Sequence, residues 1–225
     1  MSKRSLILTL IFSGIAISLV TLMVRRNSGI SANGLEASHQ TVLQEARTAP
    51  LTDNSAEVAA TLPYFHRLND EYIRGGEPAR GGIETLKRLG VKTIVDLRSD
   101  YDYTDTFKIA AERHGLSYYR TPTSVWNPPA DKEALAFVKL VSDKAQAPFY
   151  VFCADGLNRI GEMSAIYRIS HDKWTPQQAL KEIDDFGFNP YYYNLRNYVW
   201  TYARKFYPKS LPPQARSLSS LELMN

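Results

Sequence analysis

The stretch VFCADGLNRIG, residues 151–161, holds the single cysteine of a 225-residue chain. It continues the apolar, aromatic run PFYVFC, which reads as a buried strand because it is short and bounded by turn residues. Arg159 opens a second run, to His171, with the character of a helix. Cys153 therefore stands at a strand end, Arg159 near a helix start, and Ala154, Asp155, Gly156, Leu157 and Asn158 form the loop between them. A loop of this kind can turn its backbone N–H groups inward. Backed by a helix N-terminus, such a nest binds a tetrahedral oxyanion. The same positive field lowers the pKa of a thiol at its floor, and a thiolate is a strong nucleophile. An arginine at the rim can hold two oxygens of the anion at once, and a glycine permits the sharp turn. Cys153 and Arg159 are thus candidate catalytic residues, and residues 154–158 are candidate anion-binding residues. The competing readings are a buried structural cysteine and, for Asp155, a loop carboxylate facing solvent.

Outward from this loop the elements alternate. EYIRGG (71–76), VKTIVDL (91–97) and LSYYRTP (116–122) read as further strands. Residues 79–89, 103–114 and 131–144 carry apolar residues at helical spacing, and Gly90 and Gly115 close the first two. Thr175, Pro176 and Gln178 give an N-cap, a proline at the first helical position and a capping box, so a helix runs from 176 to about 185. A last helix covers roughly 192–207. Strands alternating with helices predict an α/β fold with a central, largely parallel sheet flanked by helices, and ligands at the C-terminal ends of its strands.

The ends read differently. Residues 5–24 are uncharged and almost wholly apolar, long enough at ~1.5 Å per residue to cross a hydrocarbon core. Lys3 and Arg4 precede them and Arg25 and Arg26 follow, which favours an uncleaved single-span anchor (1–26) over a cleaved signal peptide. The N-terminal side holds slightly more positive charge, which puts the N-terminus inside and the body on the periplasmic side of an inner membrane. Residues 27–62 lack aromatic residues and read as a flexible linker; the folded domain is expected over 63–208 and a loose tail over 209–225. A net charge of +4 without a block of Lys and Arg argues against nucleic acid as a partner. The histidines lack metal-ligand spacing.

Cys-x5-Arg after a strand resembles the signature loop of the cysteine-dependent protein tyrosine phosphatase superfamily. YIRGGEPARGGIETLKRLGVKTIVDLRSD resembles the opening of bacterial and plant dual-specificity-type members, and AIYRISHDKWTPQQALKEIDDFGF resembles the stretch that follows the loop in bacterial ones. The resemblance covers about 63–205. It implies a dual-specificity phosphatase-like fold and a metal-free, cofactor-free reaction. Cys153 would attack phosphorus, Arg159 would clamp the phosphoryl oxygens, and a carboxylic acid on a neighbouring loop would protonate the leaving oxygen. The substrate would be a phosphorylated protein or, as a second possibility, a phosphorylated lipid or inositol.

The departures from the family pattern bear on activity. Phe152 stands where the family has His, and Ile160 where it has Ser or Thr. The first change implies a less acidic thiol, the second a slower release of the thiolate. Asp155 adds negative charge within the loop, as in myotubularin-type lipid phosphatases. The acid loop should be TPTSVWNPPADKEAL, with the usual aspartate position near Ser124 or Val125. Asp131 is its first carboxylate and the candidate general acid, in a position that also suits a helix N-cap. Two further readings stay open: a weak or inactive phosphatase-like module that binds phosphorylated partners, and a rhodanese-type sulfurtransferase.

Overall fold

The computed structural model describes residues 52–53, 55–101 and 103–216, so the apolar run at 5–24 lies outside the described residues. Among the described residues no helix is long and apolar enough to cross a membrane.

Five strands make one sheet: β1 (His66–Arg67), β2 (Tyr72–Gly75), β3 (Thr93–Asp96), β4 (Ser117–Arg120) and β5 (Phe149–Phe152), in the order β1-β2-β5-β3-β4. β2, β5, β3 and β4 run parallel; β1 pairs antiparallel with β2 at one edge. The sheet is therefore mixed, and β5 is its centre. All four residues of β2, β3 and β5 are buried, the mark of strands covered on both faces.

The side-chain period of two sorts β5 between two cores. Phe149, Val151 and Cys153 face helices α4 (Asp131–Val141), α5 (Asn158–Ser170) and α7 (Tyr193–Phe206). Tyr150 and Phe152 face α1 (Ala56–Thr61), α2 (Gly82–Arg88) and α3 (Thr106–Arg113). A third cluster packs the outer side of α5 against α6 (Pro176–Asp185), α7 and α8 (Pro213–Arg216). Every residue of α5 is buried as a result. Its polar side chains are tied down from outside: Arg168 pairs with Glu182 and Asp172, both at 2.5 Å, and Ser170 shares a hydrogen with Tyr202 at 2.8 Å.

Packed structure is present before residue 63. Helix α1 lies in the expected linker, is capped by Ser55, and puts Val58 and Leu62 into the core. Its polar residues look like linker but have partners: Glu57 accepts from Arg88 (2.7 Å) and Thr85 (3.1 Å), and Arg67 holds Asp53 through two bonds of 2.6 and 2.8 Å. At the other end Leu211 and Ala215 are buried against α5, α6 and α7, so the described part of the expected tail is also packed.

Candidate active site

β5 ends at Phe152 and α5 starts at Asn158, so Cys153 sits at the C-terminal end of the central strand and Arg159 in the first turn of the helix. Both are buried. The loop between them is held from behind. Arg74, fully buried on the neighbouring β2, donates to the carbonyls of Gly156 (3.0 Å) and Leu157 (3.3 Å), and the carbonyl of Ala154 accepts from Glu77 N–H at 3.4 Å. A trans peptide points each N–H opposite to the preceding carbonyl. Pinning these carbonyls outward aims the N–H groups of Asp155, Leu157 and Asn158 into the bowl above the thiol. Gly156 makes the turn at φ +74°, and a Cβ there would meet the backbone nitrogen of Gly76 at 2.6 Å. Asn158 fastens the far side, accepting from Asn189 N–H at 2.9 Å.

Asp155 is exposed, as expected, but its carboxylate also bonds back onto the loop. Its Oδ1 lies 3.1 Å from Cys153 Sγ and accepts from Leu157 N–H at 3.0 Å; its Oδ2 accepts from the Asn158 amide at 3.0 Å. The carboxylate thus takes up one of the loop's own N–H donors. Burial tends to raise its pKa, but the bonds from Leu157, Cys153 and Asn158 outweigh burial and hold it below the ordinary value.

The thiol reverses the sequence expectation of a lowered pKa. Burial first, then the Asp155 carboxylate, pushes Cys153 up to about 11, against the pull of the Ile160 N–H and Arg159. The Leu157 N–H is taken by Asp155, while the Ile160 N–H and Arg159 still act on the sulfur. Phe152, in the place of the family's His, points to the opposite face of β5, where it packs edge-on to Phe107 and lies 5.3 Å from the Arg98 guanidinium. Ile160 is fully buried in the core.

A groove of about 590 Å³ opens over Arg159. Its walls include Asp100, Tyr101, Val125, Trp126 and Glu133. Asp131 is absent from this lining. It accepts from Tyr198 at 3.1 Å and pairs with Lys205, which holds its carboxyl below the ordinary range. Nor is it the N-cap: that position is Ala130, whose N–H bonds Glu133 at 3.0 Å in a capping arrangement. Asp100 pairs with Arg120 at 2.8 Å. Of the three tyrosines at 191–193, Tyr192 meets Trp126 at 5.9 Å between ring centroids, while Tyr191 and Tyr193 are exposed.

Sequence reading offers Arg74 as a source of positive potential near the site, with an ordinary salt bridge the stronger expectation, and Asp155 as an anion-binding residue; it does not find that Arg74 pins the loop carbonyls or that Asp155 bonds the thiol. Arg74 gave a usable signal, a charged residue inside an otherwise apolar strand with no acidic neighbour in register. The turn of Asp155 back onto the loop has a weaker one, an Asp followed two residues later by a donor, the pattern of an Asx-turn.

A family model described as DSP-PTPase phosphatase fused to NAD+ kinase matches residues 62–189. The chain is 31% identical over 105 residues to the probable NAD kinase 2, chloroplastic, of Oryza sativa subsp. japonica, spanning 43% of this chain and 11% of that one. It is 29% identical over 131 residues to the dual specificity protein phosphatase TpbA of Pseudomonas aeruginosa, spanning 55% of each. A crystal structure of P. aeruginosa TpbA in complex with pTyr superposes with a TM-score of 0.53 at 25% identity, covering 60% of this chain and 82% of that one. The family match takes in β2 through α6 with the whole of the Cys153–Arg159 loop, and the chain belongs to this family of dual-specificity-like cysteine phosphatases.

Proposed function

We propose that the protein hydrolyses phosphate monoesters through a phosphocysteine on Cys153. One observation carries the reading: a buried thiol at the end of the central strand, beneath a loop whose carbonyls are pinned outward, with a buried arginine six residues on. Cys153 Sγ attacks phosphorus and the ester oxygen leaves. Arg159 and the N–H groups of 154–159 carry the charge on the equatorial oxygens. Water then cleaves the P–S bond. Phosphotyrosine or dual-specificity protein substrates are the finer proposal, supported by the aromatic wall of Tyr101 and Trp126 beside Arg159 and by the TpbA relative solved with pTyr. The apolar run at 5–24 would hold the domain at a membrane, on the periplasmic side.

A second reading, a weak module that binds phosphorylated partners, is favoured by the raised thiol pKa and by the carboxylate that bonds the thiol. Phosphate release from an aryl phosphate, measured with EDTA present, separates the two. Turnover that disappears in Cys153→Ser establishes the phosphatase. Equal inertness of both proteins, with vanadate still bound, establishes the binding module.

A further inference from the structure

The proposed reaction needs a proton at the leaving oxygen, and the neighbouring carboxylates are engaged elsewhere. Asp131 is held by Lys205 and Tyr198, Asp100 by Arg120, and Glu133 by the N-terminus of α4. Asp96 and Glu77 both pair with Arg98, at 2.7 and 2.9 Å. Asp155 differs from all of these, because one of the groups it touches, beside the Leu157 N–H and the Asn158 amide, is the nucleophile.

We propose that Asp155 is the proton carrier of the site, taking the proton from the Cys153 thiol and delivering it to the leaving oxygen. This inference rests on the phosphatase reading above.

The proton count follows from the geometry. In the free protein the pair is thiol plus carboxylate, with Sγ and Oδ1 3.1 Å apart. A phosphate monoester entering the bowl competes for the Leu157 N–H that Asp155 now receives. The carboxylate then loses a donor and faces a dianion, and both effects favour its protonated form. The thiol proton moves to Asp155, and the thiolate so formed attacks phosphorus. As the P–O bond breaks, the carboxylic acid gives its proton to the departing oxygen, which leaves as the alcohol or phenol. The products are phosphocysteine and an ionised Asp155. In the second half the carboxylate takes a proton from water, hydroxyl oxygen bonds to phosphorus, and the P–S bond breaks. The proton on Asp155 returns to sulfur. No external acid or base is consumed. The thiol and the carboxylate form one titrating pair, which accounts for a site with neither the family's His nor a free acid on the groove wall.

The test compares a good leaving group, p-nitrophenyl phosphate, with a poor one, phenyl phosphate, in wild type, Asp155→Asn, Asp155→Glu and Glu133→Gln. Removing a general acid costs about 10²–10⁴-fold. The expected result is a loss of that order in kcat for Asp155→Asn on phenyl phosphate, a loss at least tenfold smaller on p-nitrophenyl phosphate, and partial recovery in Asp155→Glu. Vanadate binding by Asp155→Asn should persist, showing that the loop is formed; if that variant does not fold, Asp155→Ser replaces it. Equal losses on both esters, no loss at all, or a leaving-group-dependent loss in Glu133→Gln would overturn the inference and leave the phosphatase standing. A wild type that releases phosphate from neither ester overturns both.

Discussion

Glu162 carries a carboxyl into the core one turn after Arg159, and neither of its oxygens has a hydrogen-bond partner. Burial raises its pKa well above the ordinary value, so the folded protein keeps this proton to higher pH than the unfolded chain does. The unfolded chain gives that proton up at ordinary carboxylate pH. The stability this group permits is therefore full below that range and declines as pH rises toward the raised folded value. An unsatisfied buried polar group costs about 1–3 kcal/mol. Glu162→Met should raise the urea midpoint by a stability of that size and flatten the decline with pH, as measured by denaturation at several pH values. Gly156→Ala acts in the opposite direction. An alanine at φ +74° is strained by about 1–2 kcal/mol before its Cβ meets Gly76. The variant should melt earlier and lose vanadate binding, seen by thermal denaturation and titration. At this scale the sequence was legible where spacing alone decides, as with Cys153, Gly156 and Arg159. It was not legible where a rotamer decides. Asp155 could face water or the thiol from the same backbone, and Asp131 could face the groove or Lys205.

At the scale of elements, periodicity located each strand from β2 to β5 and each helix from α2 to α7, with differences of a few residues at the ends. Thr175 and Gln178 cap α6 as their spacing required. Helix α1 escaped because it is short and sparsely apolar: only Val58 within it and Leu62 at its end are buried. Its attachment comes from long-range pairs that no local pattern reveals, Glu57 with Arg88 and Asp53 with Arg67. If α1 is structural, Leu62→Ala should cost about 2–5 kcal/mol, the usual penalty for a buried leucine, in urea denaturation. A residue in a free linker would cost almost nothing.

At the scale of the whole molecule, alternation of strands and helices announced the α/β class and the parallel majority of the sheet. The order β1-β2-β5-β3-β4 and the antiparallel edge were not readable, because pairing partners far apart in sequence leave no periodic trace. The arrangement gives α5 a singular place, between the sheet on one side and α6, α7 and α8 on the other. Its first turn carries Arg159 and its leading end is the rim of the thiol bowl. Amide groups in so enclosed an element exchange with solvent only when the domain opens as a whole. The helix that carries Arg159 is thus among the slowest-exchanging parts of the fold, so warming displaces that arginine only as the core itself opens.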